Sequence, residues 1–120
     1  YQWKLISLKS EERPWGRFFI VDEQSTYKLK RIEVDSGKRL SYQYHKKRSE
    51  VWIIIKGKGT ITLNDKVKEY SKGETILIPQ GMKHRIENNT KYKVVFIEIQ
   101  TGSYFGEDDI VRLEDDYGRI

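Results

Sequence analysis

The sequence predicts an all-β domain, and three observations lead to this fold class. Apolar residues recur with a period of two, or in short runs, over segments of four to eight residues. Groups of Gly, Pro, Asn, Asp and Ser separate these segments, as in turns between strands. No apolar repeat of 3.6 residues persists for ten residues, so long amphipathic helices are not expected. Many short strands at close spacing predict a β-sandwich or a β-barrel.

Nine segments have the pattern of strands. In chain order they are Arg17–Val21, Tyr27–Val34, Leu40–Tyr44, Val51–Lys56, Thr60–Leu63, Val67–Tyr70, Thr75–Ile78, His84–Glu87 and Lys93–Gln100. Asn64-Asp65 joins two of them and predicts a two-residue hairpin. Only Glu107–Tyr117 allows a turn or two of helix, so the C-terminal end is expected to be a short helical or irregular tail.

Length and composition indicate a single domain that spans residues 1–120. No run approaches the roughly 20 apolar residues of a membrane span, and the opening YQWKLISLKS lacks the apolar core of a signal peptide. The chain has no cysteine, which excludes disulfides and thiolate metal sites. These features favour a cytoplasmic protein that does not bind membranes.

The net charge of +5 is unevenly distributed. Residues 107–120 contain six acids and two bases, a charge of −4, whereas residues 1–106 contain 21 bases and 12 acids, a charge of +9. A basic body attracts polyanions, but the bases are scattered among strands rather than clustered with aromatic residues. We therefore expect a solvated surface or a basic pocket for a small phosphorylated molecule, and no nucleic acid partner.

Two spaced sets of residues carry the chemistry. The first reads Gly37-x5-Gln43-x-His45-x4-Glu50-x6-Gly57, and the second reads Gly73-x5-Pro79-x-Gly81-x2-His84-x3-Asn88. Each set holds one of the only two histidines in the chain. Residues two apart on a strand point to the same side, so Gln43 and His45 share a face. Together with Glu50 and His84 they offer a mixed nitrogen and oxygen site for a divalent metal.

The two sets resemble the two-part signature of the cupin superfamily, with Gln43 where the first histidine of the usual His-x-His often stands. Both sets match that signature in every spacing. The resemblance implies a cupin jelly-roll β-barrel, or double-stranded β-helix, with the metal ligands converging inside the barrel. The predicted ligands are Gln43, His45, Glu50 and His84. They suit Zn, Mn, Fe, Co or Ni, and the sequence does not select among these metals.

A closer resemblance covers nearly the whole chain. The segments Glu12–Gly16, Leu40–His45, Arg48–Trp52, Gly102–Arg112 and Asp116–Arg119 are similar to the type II mannose-6-phosphate isomerase domain. In that family the domain usually follows a mannose-1-phosphate guanylyltransferase domain, whereas we expect it to stand alone here. One departure is Val51, where many members have a histidine.

The resemblance implies reversible isomerisation of mannose 6-phosphate and fructose 6-phosphate through an enediolate. Arg48, Lys46, Arg112 and Arg119 are the candidates for binding substrate. Forked guanidinium groups suit phosphate, although surface ion pairs are the ordinary role of such arginines. Glu50 and Arg48 are the candidate catalytic residues. Glu50 serves as a general base only if the metal does not fully engage it. Trp15 and Trp52 are expected in the core.

Two alternatives to this function remain open. The domain acts on another sugar phosphate or a nucleotide sugar, or it is a non-catalytic sugar-binding module or partner subunit of a guanylyltransferase. The cupin resemblance also implies a homodimer. Dimers of this kind cover the unpaired backbone of edge strands. We expect the contact in the apolar piece around Trp3 and Leu5.

Overall fold

Eleven β-strands form most of the regular structure in the computed structural model, which describes residues 9–120. They are β1 (Lys9–Arg13), β2 (Gly16–Glu23), β3 (Tyr27–Val34), β4 (Tyr42–His45), β5 (Arg48–Lys56), β6 (Lys58–Leu63), β7 (Lys66–Ser71), β8 (Thr75–Ile78), β9 (His84–Glu87), β10 (Val94–Gly102) and β11 (Ile110–Glu114). A single 3-10 turn, Glu107–Asp109, precedes β11. Nothing in the described ranges is a helix with the length and apolarity needed to cross a bilayer.

The strands form two antiparallel sheets. One has the order β1-β2-β3-β10-β5-β8, and the other has the order β11-β4-β9-β6-β7. Strands that are distant in sequence are neighbours, since β10 pairs with both β3 and β5. The strands β3, β4 and β5 alternate between the two sheets, and so do β8, β9, β10 and β11. The chain therefore passes repeatedly between the sheets, as in a jelly roll. The all-β prediction is confirmed.

Most predicted strands agree with the structure, and three agree residue for residue: Tyr27–Val34, Thr75–Ile78 and His84–Glu87. Two strands were missed, β1 and β11. The possible helix over Glu107–Tyr117 is limited to the 3-10 turn, since Ile110–Glu114 is a strand that pairs with β4. By pairing with the open edge of the sheet, this segment forms backbone hydrogen bonds to β4. A short helix would leave many of the same N–H and C=O groups bonded only to water.

The predicted hairpin between β6 and β7 is confirmed. Asn64 and Asp65 have φ values of 45° and 71°. Both central residues of a type I′ turn require positive φ, and this turn matches the twist of the paired strands. The register pairs Leu63 with Lys66 directly across the turn.

The inner face of the six-stranded sheet changes from apolar to polar along its strands. On β10, Val94 and Phe96 belong to the apolar core, whereas Glu98 and Gln100 on the same face are polar and equally buried. The core cluster consists of Trp15, Phe18, Ile32, Val34, Leu40, Trp52, Ile54, Ile61, Ile76, Ile78, Ile86, Val94 and Phe96. Buried polar groups need internal partners, so the polar end of the barrel is where a site is expected.

Two other sequence predictions concern the core and the dimer. Trp15 and Trp52 are both buried, as predicted. Along β5 buried and part-exposed residues alternate, which places Val51 on the opposite face from Glu50 and Trp52. The histidine that many family members carry at this position would therefore not face the interior. The predicted dimer contact around Trp3 and Leu5 lies outside the described residues.

Candidate metal centre and adjoining cavity

Three predicted ligands meet at the polar end of the barrel. His45 ends β4, Glu50 lies on β5 and His84 begins β9, and all three are buried. The distance from His45 Nε2 to Glu50 Oε2 is 3.2 Å, and that from His84 Nε2 to Glu50 Oε1 is 3.7 Å. One ligand atom from each residue lies within 4.8 Å of the other two. We call these residues the ligand trio.

Backbone carbonyls orient both imidazoles. The Nδ1 of His45 lies 3.2 Å from the carbonyl oxygen of Asp109, and the Nδ1 of His84 lies 2.9 Å from that of Met82. A neutral imidazole whose Nδ1 donates to a carbonyl presents its Nε2 lone pair on the other side. Both Nε2 atoms therefore face Glu50 as acceptors. This is the arrangement in which histidines ligate metals.

The trio fits a divalent metal. The buried Nε2 of His84 has no hydrogen-bond partner among the described residues. Burial also lowers the pKa of His84, which favours the neutral, ligating form. Burial alone would raise the pKa of Glu50, but the Arg48 guanidinium, which donates to this carboxylate, helps to hold it well below its usual range. Two nitrogens and a carboxylate are a common donor set for Zn and similar ions.

Gln43, the fourth predicted ligand, lies beside the trio. In the sheet it pairs with His84 on β9 and with Arg112 on β11. Its Oε1 accepts a hydrogen bond of 3.1 Å from the Ser41 hydroxyl. Ligation by Gln43 stays a prediction.

Arg48 connects the trio to an adjoining cavity. Its Nε donates to Glu50 Oε2 at 3.0 Å, and its Nη2 lies 3.2 Å from His45 Nε2. Arg48 is buried and also lines the cavity, and its Nη1 has no hydrogen-bond partner within residues 9–120. Since guanidinium only donates, a metal and Arg48 compete for the same lone pair of His45.

Asp109 shapes the turn that carries Arg48. Its carboxylate accepts hydrogen bonds from the backbone amides of Lys46 at 3.2 Å and Lys47 at 2.9 Å. The same residue orients His45 through its carbonyl oxygen. The C-terminal segment therefore fixes two parts of the centre, a role that the sequence did not reveal.

Glu98 is a second buried carboxylate that the sequence reasoning missed. It accepts hydrogen bonds from Trp52 Nε1 at 3.1 Å and from Gln100 Nε2 at 2.8 Å. The same Trp52 nitrogen lies 3.0 Å from Glu50 Oε1. Burial, with the negative charge of Glu50, raises the pKa of Glu98 to about 8. One signal was available, since Glu98 interrupts the apolar run of β10 at an inner position.

The cavity beside the trio is lined mainly by cations and apolar side chains. It encloses about 490 Å³, including solvent at its mouth. Its charged lining residues are Arg13, Lys30, Arg48, Arg112 and Arg119, with the acids Glu98 and Glu107. Gln43 also lies on its wall. Five cations against two carboxylates make the cavity suited to an anion.

The predicted substrate-binding residues are only partly brought together. Arg48 and Arg112 line the cavity. Arg119 lines it too, but its guanidinium makes two hydrogen bonds to Asp115, of 2.8 and 2.9 Å. Lys46 is exposed and does not belong to the described cavity wall. Lys30, which the sequence analysis did not select, is buried on that wall.

The pair formed by Asp115 and Arg119 stabilises the C-terminal segment in a pH-dependent way. Hydrogen bonding by Arg119 lowers the pKa of Asp115 from 3.8 to about 2. This stabilisation is present above pH 3.8 and is lost as pH falls toward 2. We expect Asp115→Asn to lower the free energy of unfolding by about 1 kcal/mol at pH 7. In urea titrations, the difference in the free energy of unfolding between Asp115→Asn and the parent chain should shrink as pH falls from 3.8 toward 2.

Arg119→Gln is the matched control for that experiment. It should cost about as much stability as Asp115→Asn at pH 7, and the double variant should lose little more than either single variant. Fully additive losses would show that the two side chains stabilise the fold separately.

The comparisons with known proteins decide the family. The sequence profile of the family described as mannose-6-phosphate isomerase C-terminal matches residues 4–115. The chain belongs to this family. The ligand trio and its cavity thus lie in a mannose-6-phosphate isomerase C-terminal domain of cupin fold.

Curated relatives of this domain are bacterial biosynthetic proteins. It is 44% identical over 108 residues to the mannose-1-phosphate guanylyltransferase ManC of Salmonella typhimurium, covering 90% of this chain and 22% of ManC. It is also 44% identical over 107 residues to the alginate biosynthesis protein AlgA of Pseudomonas aeruginosa, covering 89% of this chain and 22% of AlgA. The chain therefore spans less than a quarter of the length of these relatives.

Solved structures confirm the cupin fold. The capsular polysaccharide assembling protein CapF of Staphylococcus aureus matches with a TM-score of 0.79 and 24% identity, over 92% of this chain and 33% of that one. The oxalate decarboxylase OxdC of Bacillus subtilis matches with a TM-score of 0.74 and 23% identity, over 88% of this chain and 30% of that one. At these identities the likeness concerns the fold alone.

Proposed function

We propose that this chain is a metal-dependent sugar-phosphate isomerase that interconverts mannose 6-phosphate and fructose 6-phosphate. The observation that carries the proposal is the buried ligand trio beside a cavity lined by five cations. Membership of the isomerase family supports the choice of substrate. By analogy with the relatives named for guanylyltransferase and alginate biosynthesis, the product would enter a polysaccharide pathway.

His45, Glu50 and His84 would hold the metal, with Gln43 as a fourth ligand. When bound, a divalent ion supplies positive charge that polarises the sugar carbonyl. The trio is enclosed by protein, so charge in this site is weakly screened. The remaining steps concern the residues of the chain itself.

Arginines would bind and position the substrate. Arg48 and Arg112 have guanidinium nitrogens without hydrogen-bond partners among the residues that the structure describes, Nη1 and Nε respectively, and both residues line the cavity. A phosphate group has acceptor oxygens that match such donors, so binding it fixes the open-chain sugar in the cavity. Arg48 is suited to a double role because it also contacts the trio.

Isomerisation needs one proton to move between C2 and C1. Glu50 belongs to the metal site, so it is not free to act as the base. Glu98 is a second buried carboxylate at this end of the barrel, and it lies on the cavity wall. We infer that an oxygen of ionised Glu98, whose pKa of about 8 leaves a fraction of the carboxyl ionised at neutral pH, takes the proton from C2. The C–H electron pair then forms the C1–C2 double bond of an enediolate, and the negative charge develops on the C1 oxygen. Return of the proton to C1, with transfer of the 2-hydroxyl proton to the C1 oxygen, gives the ketose.

The test is an isomerase assay with metal added back. The purified chain is stripped of metal and then given Zn, Mn, Fe, Co or Ni in turn. We expect no turnover of mannose 6-phosphate before addition and restored turnover with at least one metal. Unphosphorylated mannose is the substrate control, and it should react far more slowly because it lacks the group that the arginines hold. Binding of mannose 6-phosphate without turnover under every metal would instead support the non-catalytic module.

A further inference from the structure

Some cations that line the cavity form ion pairs with carboxylates of the chain, and one does not. Arg119 is paired with Asp115, Arg13 with Glu11, and Arg48 with Glu50. Lys30 is paired with Glu107, whose Oε1 lies 2.6 Å from its Nζ. Arg112 forms no ion pair in the part of the chain that the structure describes, and its Nε is buried without a hydrogen-bond partner.

Arg112 and Arg48, which both line the cavity, therefore have donors that are not used. Arg48 is 4% exposed, and its Nη1 has no partner in the described part of the chain although the rest of the guanidinium is bound. Burial, and after it the positive charge of Arg119, lowers the pKa of Arg112. Unpaired buried guanidinium nitrogens are costly. An anion between them would remove that cost.

Glu107 is the carboxylate that pairs with Lys30 on the cavity wall. It is the first residue of the 3-10 turn, and its side chain is 44% exposed while its partner Lys30 is only 5% exposed. Its carboxylate lies on the cavity wall and its side-chain hydrogen bonding in the described residues is to Lys30 alone. Returning the half-exposed carboxylate of Glu107 to water costs little for Glu107 itself, but it leaves buried Lys30 unpaired, so an incoming anion must take its place.

We propose that Glu107 is an internal competitor in an anion subsite formed by Lys30, Arg112 and the Nη1 end of Arg48, and that a phosphate monoester displaces it. A phosphate monoester carries up to two negative charges and three acceptor oxygens, so it can serve all three cations, whereas the carboxylate serves one. The identity of the ester rests on the proposed function, but the subsite itself does not. Such a competitor lowers the affinity for phosphate and promotes product release.

The experiment measures inorganic phosphate binding to the full chain by isothermal titration calorimetry. Glu107→Gln removes the competing charge and should tighten phosphate binding by about five-fold. Arg112→Gln removes an unpaired donor and should weaken binding by at least about ten-fold. Thermal unfolding of each variant verifies that it is folded.

Glu114→Gln is the matched control for Glu107→Gln. Glu114 belongs to the same C-terminal segment and pairs with Arg85, and it does not line the cavity. This change removes the same charge, and it should leave the phosphate affinity within about two-fold of the parent. Equal tightening by both variants would overturn the proposal, because it would report a general electrostatic effect. Weaker phosphate binding by Glu107→Gln would also overturn the proposal. It would show that Glu107 holds the Lys30 side chain in the position that binds the anion.

The two proposals fail in different ways. If phosphate binding follows the expected pattern but no metal restores turnover, the anion subsite stands and the isomerase function does not. If turnover is present and Glu107→Gln neither tightens phosphate binding nor lowers KM for mannose 6-phosphate, the subsite proposal is overturned and the isomerase function stands.

Discussion

Replacing His84 with alanine should abolish metal binding and reduce turnover by at least about a thousand-fold, while the barrel stays folded. Among residues 9–120 the Nε2 of His84 has no hydrogen-bond partner, so its removal leaves no donor or acceptor unsatisfied at that atom. The interactions lost include the Nδ1 bond to the Met82 carbonyl and the ring contacts with Trp52 and His45, at 5.5 and 5.2 Å between ring centroids. We expect a stability cost of about 1–3 kcal/mol for the lost bond and the small void.

Metal content by mass spectrometry and turnover of mannose 6-phosphate check this prediction. Glu87→Gln is the control because Glu87 ends the same strand and contacts Arg39 rather than the trio. This control should keep both the metal and the activity. Full metal content together with undiminished turnover in His84→Ala would contradict the assignment of His84 as a ligand.

The ligand trio could be predicted because its chemistry lies in local spacing. His45 and Glu50 are five residues apart around one turn, and that turn was bracketed by predicted strands. The second set placed His84 at the start of a predicted strand, where the structure has it. The chain has only two histidines, and turn residues mark the ends of strands. Both can be located even where the predicted strand boundaries are wrong.

The cavity wall could not be predicted in the same way, because it depends on register between distant strands. Lys30 looks like a solvent-facing lysine in the sequence, and only its alignment with Glu98 across β3 and β10 brings it inside. Glu107 comes to Lys30 from 77 residues away. A period-two pattern shows which residues share a face, but it does not show which strand lies alongside.

The two missed strands have different explanations. Strand β1 has the polar sequence KSEER, which resembles a loop, yet it pairs with β2 through a hairpin from Arg13 to Gly16. Strand β11 follows three acidic residues that favour a helix start. Pairing with β4 opposes that local preference, since tertiary contacts commonly override propensity in short segments.

Glu98→Gln should lower kcat by about 10²–10⁴-fold without loss of metal, because a general base contributes an effect of this size. Glutamine has the same shape and can still accept the hydrogen bond from Trp52, but it cannot take a proton. Exchange of the C2 proton of mannose 6-phosphate with deuterated solvent provides a second readout that does not depend on completing the reaction. We expect this exchange to fall in parallel with kcat, whereas KM changes little.

Glu33→Gln is the matched control for this variant. Glu33 is a buried glutamate as well, but it pairs with Arg17 and does not line the cavity. Its replacement should leave kcat within about two-fold, whatever it does to stability. Glu98→Asp keeps a carboxylate on a shorter side chain, so it should recover part of the exchange that glutamine loses. If Glu98→Gln loses the metal, or if it keeps parental exchange, then Glu98 supports Glu50 through Trp52 and another group moves the proton.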